Sequence, residues 1–230
     1  MDAITLLKND HQTIEKLFKR FEKTGEGARV QRRKLVDQMI EELSIHAAIE
    51  EQVFYPVTRG TVDDVDDDVL EALEEHHIVK WLLAELEHLQ PDDERFAAKV
   101  TVLIENVRHH VEEEEEDYFP KVRAALGRND LAEIGDALEE AKRTAPTHPH
   151  PRSPDTPPGN QVAGPGAGVV DRVTDTVAGI AQGGVSVAQE LIARLAGRPA
   201  PKAAPTGSSR ARTAAAGVRD TAGVGRNGSH

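Results

Sequence analysis

The sequence contains no cysteine and few aromatic residues, and both scarcities narrow its possible chemistry. Without cysteine, a disulfide scaffold, a thiolate metal site, a cysteine nucleophile and an iron–sulfur cluster are excluded. Aromatic residues make up 3% of the chain, so few rings can stack on bases or sugars. The formal net charge of -12 is the opposite of the basic footprint of nucleic-acid-binding proteins, and we therefore expect no nucleic-acid partner.

Long apolar runs are missing as well. No uncharged run is long enough to cross a bilayer, and the run at 176–189 in the second half also contains several glycines. The first residues lack the basic-then-apolar pattern of a secretory signal. We therefore expect a soluble, cytoplasmic protein without a transmembrane segment.

The composition changes near residue 145. Acidic residues outnumber basic ones in 1–145, whereas basic residues outnumber acidic ones afterwards. The Pro- and Gly-rich stretch 146–168 is predicted to be a linker. A helical period interrupted by glycines indicates a marginal amphipathic helix in 169–197, which would contact a partner or a membrane surface, with a mostly disordered segment as the alternative. Residues 198–230, rich in Ala, Gly, Arg and Pro, are predicted to be a disordered tail.

Residues 1–145 carry the pattern of a helical bundle. Apolar residues recur every three or four positions, without sustained alternation. The pattern predicts helices over about 2–23, 30–55, 67–89 and 91–120, and a short fifth helix over about 130–142. Pro56 and Pro120 are expected to end the second and fourth helices. The fold class is therefore all-α, an up-down-up-down four-helix bundle with a short fifth helix and a largely disordered C-terminal tail.

Two pairs of segments repeat within this bundle. The second and fourth helices end in matching segments, His46-xxx-Glu50-Glu51-xxx-Tyr55-Pro56 and His110-xxx-Glu114-Glu115-xxx-Phe119-Pro120. The first and third helices carry matching dipeptides, Asp10-His11 and Glu75-His76, each followed by apolar residues at helical spacing. The chain thus contains two copies of a helix hairpin, and each copy brings one lone histidine and one His-xxx-Glu pair.

The spacing of these residues predicts a metal site. Positions i and i+4 lie on one helix face, and here that face also carries the apolar residues, so four imidazoles and two carboxylates should meet inside the bundle. A lone buried histidine is more often a hydrogen-bonded core residue, and an acidic run is more often a solvated face. Two unpaired buried carboxylates would be costly, however, and a bound metal would remove that cost. The predicted ligands are His11, His46, Glu50, His76, His110 and Glu114.

With these motifs, residues 1–145 resemble the hemerythrin-like (HHE cation-binding) family. The resemblance implies a non-haem di-iron centre in which the four histidines are terminal ligands. Glu50 and Glu114 would bridge two iron ions that also share an oxo or hydroxo group. Oxygen-carrying hemerythrins have a second histidine one turn after the third-helix ligand, and here that position is Lys80. This departure favours redox chemistry, sensing or nitric oxide binding over reversible oxygen carriage.

Several roles near the site stay open in the sequence. His77 competes with His76, which is preferred because Glu75-His76 matches Asp10-His11. Glu51 and Glu115 would either orient a ligand histidine or face solvent. Tyr55 and Tyr118 are expected to pack and hydrogen-bond. If the protein is an enzyme, Lys80 or Tyr118 would serve as proton donor.

The sequence supports three functional hypotheses. The first is a di-iron module that senses or handles oxygen, peroxide, nitric oxide or iron. The second is a di-iron enzyme that decomposes peroxide in a catalase-like reaction or handles nitric oxide. The third is a metal-free helical scaffold that binds partners through its tail. Under the first two hypotheses, the expected ligands are small diatomic molecules or peroxide. A measurement of metal content distinguishes these two hypotheses from the scaffold hypothesis.

Overall fold

The structure is a computed structural model, and it describes residues 1–152 and 184–196. Within these ranges the chain forms helices and no strands. The helices are α1 (Ala3–Glu22), α2 (Arg29–Ile49), α3 (Tyr55–Thr61), α4 (Asp66–His88), α5 (Phe96–Glu113), α6 (Phe119–Ala125), α7 (Arg128–Lys142) and α8 (Gly184–Ala196). Two π-helical turns, π1 (Glu50–Phe54) and π2 (Glu114–Tyr118), join α2 to α3 and α5 to α6.

The long helices α1, α2, α4 and α5 form the predicted four-helix bundle. α1 packs against α2, α4 packs against α5, and α2 also contacts α4. Asp2 caps the N-terminus of α1, where its side chain accepts a hydrogen bond from the backbone N–H of Thr5. The predicted fifth helix is α7, which lies against α1 and α2. The all-α bundle with a short fifth helix is therefore confirmed.

The expectation that Pro56 and Pro120 end their helices is wrong. In the π turns before them, the N–H of Tyr55 donates to the carbonyl of Glu50, and the N–H of Phe119 donates to that of Glu114, each five residues back. Each proline then lies in the first turn of the next α-helix, where a backbone N–H is not needed. The helices therefore continue through α3 and α6.

The buried histidines divide the apolar core into two clusters. The cluster at one end of the bundle includes Phe18, Phe21, Met39 and Phe96. The cluster at the other end gathers residues of both π turns, α3, α6, α7 and α8. Along every long helix the histidine falls between residues of the two clusters, as His11 does between Leu7 and Ile14. The six predicted ligands therefore lie in one polar layer across the bundle.

Helix α8 completes the cluster at the π-turn end. It lies within the range predicted to be amphipathic, and it packs on α3, α7 and π1 through the buried side chains of Ala188, Leu191 and Leu195. A Cβ atom added to Gly60 of α3 would lie 3.1 Å from the side chain of Ile192, so glycine allows this close approach. The predicted tail at 198–230 lies outside the described residues, as does the linker beyond residue 152. In the ranges that are described, no helix is long and apolar enough to cross a membrane.

Candidate metal centre

The structure brings all six predicted ligands together. Each is at most 4% exposed, and together they form what we call the His/Glu cluster: His11 from α1, His46 from α2, Glu50 from π1, His76 from α4, His110 from α5 and Glu114 from π2. Both glutamates are the first residue of a π turn. π-Helical turns inside α-helices are frequent at functional sites, because the extra residue re-aims the side chains around it.

The first half of the cluster is built around His11 and His46. Their Nε2 atoms are 3.2 Å apart. The Oε2 atom of Glu114 lies 3.3 Å from His11 Nε2, and the Oε2 atom of Glu50 lies 3.2 Å from His46 Nε2. We call these four residues the first site.

The second half repeats this arrangement around His76 and His110. Their Nε2 atoms are also 3.2 Å apart. Glu50 Oε2 lies 3.4 Å from His76 Nε2, and Glu114 Oε2 lies 3.6 Å from His110 Nε2. One oxygen of each glutamate therefore faces one histidine of each pair. We call this half the second site, and it shares both carboxylates with the first.

A carboxylate lies behind the Nδ1 atom of each of the four imidazoles, and in three of them it is within hydrogen-bond distance. His11 Nδ1 lies 2.9 Å from Glu115 Oε1, and His76 Nδ1 lies 3.0 Å from Glu51 Oε1. Glu51 and Glu115 therefore contact two of the predicted ligand histidines, which agrees with the first of the two roles that the sequence left open. These contacts cross between the two hairpins. Glu115 of the second hairpin contacts His11 of the first, and Glu51 of the first hairpin contacts His76 of the second.

The other two histidines use residues to which sequence analysis assigned no role. His110 Nδ1 lies 2.8 Å from Glu75 Oε2, and His46 Nδ1 lies 3.7 Å from Asp10 Oδ2. The available signal was an acidic residue immediately before each lone histidine. Because neighbouring residues on a helix point about 100° apart, such an acid reaches the histidine of the adjacent helix rather than its own neighbour.

Lys80 faces Glu51 rather than the centre. Its Nζ atom lies 2.7 Å from each oxygen of Glu51 and completes a chain from lysine to glutamate to the imidazole of His76. Lys8 forms the corresponding ion pair with Glu115, at 3.0 Å. At the position where oxygen-carrying hemerythrins have a second histidine, this chain therefore has a lysine, and that lysine fixes the carboxylate of Glu51.

His77 lies outside the His/Glu cluster. Its Nε2 atom accepts a hydrogen bond from the indole N–H of Trp81 at 3.1 Å, on the outer side of α4. The preference for His76 from the repeat thus agrees with its placement among the clustered side chains.

The donor atoms have the spacing that one metal ion per site requires. Each Nδ1 faces a carboxylate, which favours the tautomer protonated at Nδ1 and leaves the lone pairs of Nε2 pointing at each other. Ligands about 2.1 Å from a shared ion are roughly 3.0–3.4 Å apart at octahedral to tetrahedral angles. Two lone pairs that converge at this distance repel unless a positive charge lies between them. The residues therefore fit a cation in each site.

The buried carboxylate oxygens support the same conclusion. Glu50 Oε1 is buried and has no hydrogen-bond partner, and the buried Glu114 Oε2 faces the imidazoles of His11 and His110 at 3.3 Å and 3.6 Å. Buried carboxylate oxygens are normally satisfied, because an unpaired one loses its hydration without replacement. An oxygen-preferring cation would satisfy both glutamates at once.

When no metal is bound, protons on the side chains supply part of the positive charge that the converging nitrogen and oxygen atoms require. Burial lowers the pKa of His11, but hydrogen bonds and charges from Glu114 and Glu115 outweigh it and raise the pKa to about 9. Burial, reinforced by the charge of Glu114, raises the pKa of Glu50 well above its usual range. Burial also acts to raise the pKa of Glu114, yet His110 and His11 lower it to about 2. A protonated His11 thus faces an ionised Glu114 in the metal-free centre.

Tyr55 lies directly beside the two shared carboxylates. Its hydroxyl donates a hydrogen bond to Glu114 Oε1 at 2.9 Å and is 3.5 Å from Glu50 Oε2. Burial raises the pKa of this hydroxyl well above its usual range, and the charges of both glutamates add to the effect, so it keeps its proton. Tyr118 instead forms a hydrogen bond with the hydroxyl of Thr58.

Comparisons with known proteins agree with this geometry. The family described as the Hemerythrin HHE cation binding domain matches residues 2–122. An uncharacterized hemerythrin-like protein of Schizosaccharomyces pombe is 29% identical over 140 residues, which cover 60% of this chain and 69% of that protein. A DNA nickase of Nostoc is 25% identical over 142 residues, but these make up 62% of this chain and only 39% of the nickase.

A solved structure shares the fold. It is the crystal structure of a hemerythrin HHE cation-binding domain-containing protein from Mycobacterium kansasii, with a TM-score of 0.54 and 22% sequence identity. The match covers 62% of this chain and 86% of the other. Since the family match spans more than half of the chain and includes the histidines and glutamates of the cluster, the protein belongs to the hemerythrin HHE cation-binding domain family.

Proposed function

We propose that the protein binds two iron ions in the His/Glu cluster and uses them to sense or process a small oxidant or diatomic molecule, namely oxygen, peroxide or nitric oxide. The observation that carries this proposal is the pair of imidazole couples, each with Nε2 atoms 3.2 Å apart, that share the buried carboxylates of Glu50 and Glu114. His11 and His46 would hold one ion, and His76 and His110 the other.

The chemistry of the donors supports iron. Imidazole and carboxylate ligands suit iron, manganese and zinc, and membership of the family favours iron among these. Bound iron supplies reversible electron transfer and an open position for a small ligand. The chain contributes the orientation of the imidazoles, the two shared carboxylates and a buried environment that limits access of water.

A groove between α1 and α5 supports a small, uncharged ligand. It has a volume of about 760 Å³. Ile14, Phe18, Val107 and Val111 form its apolar wall, and charged residues of both signs, among them Lys8, Glu15 and Arg108, line the rest of it. His11 is among the residues that line it. We call it the apolar groove. Oxygen, nitric oxide and hydrogen peroxide carry no charge at neutral pH, so an apolar wall does not oppose their approach to the first site.

Tyr55 favours peroxide decomposition as a second candidate function. Cleavage of an O–O bond is aided by a proton held close to the reacting oxygen, and the Tyr55 hydroxyl keeps its proton between the shared carboxylates. The sequence-based candidates for this role are less suited, because Lys80 pairs with Glu51 and Tyr118 with Thr58.

The test is metal analysis of the purified protein together with its optical spectrum under anaerobic conditions, and again after air, peroxide or nitric oxide. We expect about two iron ions per chain and a spectrum that changes with at least one of these reagents. The Glu50→Gln variant should lose iron, whereas Glu112→Gln, an exposed acid on α5, should keep it. A stable protein with no metal would support the scaffold hypothesis instead, and retention of two ions by Glu50→Gln would refute the shared-carboxylate assignment.

A further inference from the structure

A second opening reaches the His/Glu cluster from the side of α4 and π2. It is a cleft of about 110 Å³, smaller than the apolar groove, and we call it the acidic cleft. Six of its lining residues are acidic: Asp68, Glu71, Glu75, Glu113, Glu114 and Asp117. His110 and Glu114 belong both to this lining and to the His/Glu cluster. The cleft therefore connects the protein surface with the second site.

The charge of the acidic cleft is only partly balanced. Lys121 forms an ion pair with Asp68 at 2.7 Å, on the exposed side of the cleft. His109 faces Glu75 and Glu113, at 3.9 Å and 3.4 Å. A concave site lined by charges of one sign concentrates the electrostatic field and raises the local concentration of counter-ions. A cleft with this lining attracts cations and repels anions.

Two residues that line the cleft, Glu75 and Glu113, have the arrangement of a cation site together with the exposed His109, which lies beside the lining. One donor atom from each of Glu75, His109 and Glu113 lies within 4.8 Å of the other two. His109 and Glu113 are one turn apart on α5, and Glu75 approaches from α4. Two carboxylates and an imidazole match the donors of the His/Glu cluster, so a cation that prefers one group will also be attracted by the other.

Glu75 links the outer group to the inner one. Its Oε1 atom faces His109, while its Oε2 atom accepts a hydrogen bond from His110 at 2.8 Å. At the inner end, Glu114 is 2% exposed and lines the cleft. A cation that moves from the outer group along the cleft would therefore reach a buried carboxylate oxygen that faces one histidine of each site.

We propose that the acidic cleft is the entry route for ferrous ions and that Glu75, His109 and Glu113 form a transient loading site at its mouth. This inference rests on the proposed iron-binding function and adds how the ions arrive. It separates the two openings by chemistry, since cations enter through the acidic cleft and uncharged ligands through the apolar groove. The two would then not compete for one path.

The test measures the rate of iron loading rather than iron content alone. Full-length metal-free protein is mixed anaerobically with Fe²⁺, and unbound Fe²⁺ is captured by a chromogenic chelator at timed intervals. In Glu71→Gln/Glu113→Gln the loading rate should fall about tenfold at low ionic strength, and the difference should shrink in high salt. His109→Gln, which keeps the net charge, should also load more slowly, because it removes a donor.

The matched control is Glu112→Gln/Glu116→Gln. It also removes two negative charges, one from α5 and one from π2. Glu112 and Glu116 line the apolar groove rather than the acidic cleft. This control should load at the rate of the unmodified protein. Equal slowing in control and cleft variants would refute the route, because only net charge would then matter. Unchanged rates in all variants would refute it as well, while leaving the proposed function intact if each still binds two ions. Failure of the unmodified protein to bind iron would refute both.

Discussion

Metal binding should release protons from the centre, and its affinity should therefore rise with pH. His11 has a pKa of about 9 in the metal-free protein, and a metal ligand must be deprotonated. At pH 7 only about 1% of His11 would then be neutral, and at pH 9 about half, so affinity should increase about tenfold from pH 7 to 8 and about 50-fold from pH 7 to 9, which corresponds to ~2.3 kcal/mol. Glu50, whose pKa is also raised, should release a further proton.

The same proton stabilises the metal-free fold with the opposite pH dependence. The folded-state pKa of His11, about 9, lies above the ordinary histidine pKa of 6.5. Its contribution to the free energy of unfolding is therefore fully present below pH 6.5 and is lost as pH rises through 9. The magnitude is on the order of 3 kcal/mol, because each pKa unit corresponds to about 1.4 kcal/mol. Raising the pH thus weakens the metal-free protein while it strengthens metal binding.

Zinc is a suitable probe, because it accepts the same donors and does not change oxidation state. Calorimetry at pH 7 in two buffers of different ionisation enthalpy gives the number of protons released per ion, and competition with a chelator gives the affinity at each pH. Glu115→Gln removes a carboxylate that raises the pKa of His11, so fewer protons should be released and the pH dependence should flatten. Glu116→Gln, exposed on the same turn, should leave both unchanged.

Two results would refute this reasoning. If zinc binds without releasing protons at pH 7, then His11 is either not a ligand or not protonated beforehand. If the Glu115→Gln variant has lower affinity but an unchanged proton count, then Glu115 only positions the imidazole and does not hold its proton. The proton count distinguishes these cases, whereas affinity alone does not.

Three shorter predictions test neighbouring parts of the structure. Tyr55→Phe should keep the iron but lose any peroxide turnover, and it should lower the free energy of unfolding by about 1–3 kcal/mol in urea titration, since Glu114 Oε1 loses its buried donor. Glu51→Gln should weaken metal affinity by about 10–100-fold in chelator competition, because Glu51 orients His76; an unchanged affinity would contradict that role. Leu191→Ala should destabilise the protein by about 2–4 kcal/mol without changing metal content, because the buried side chain holds α8 on the bundle; no loss of stability would mean that α8 does not pack there in solution.

The clustering of the six side chains was predictable because helix register is a local property. A period of 3.6 residues fixes which positions share a face, and the apolar residues of the same stripe fix which face points inward. His46 and Glu50 therefore point inward together wherever the second helix packs. Because the two hairpins repeat each other, the inward-facing positions could be identified in each of them independently. The repeat also favoured His76 over His77 as the inward-facing histidine.

The π turns were not predictable in this way. Nothing in the residue types of 50–54 distinguishes a π turn from an α-helical one, and Pro56 suggested a helix end. The wider turn becomes favourable only with its tertiary contacts, since Glu50 at its start is held among groups from three other helices. The position of α8 was unpredictable for a similar reason, because the space above Gly60 that receives Ile192 is created by packing between segments far apart in sequence.

The partners of Nδ1 show why neither hairpin forms a complete site. Glu115 of the second hairpin orients His11 of the first, and Glu51 of the first orients His76 of the second. Glu50, from the first hairpin, faces one histidine of each pair. A single hairpin would keep two imidazoles but would lose a shared carboxylate and one of the two orienting glutamates. Metal binding at either proposed site would therefore require both repeats in one bundle, and it would stabilise the contact between them by the free energy with which the metal prefers the assembled site.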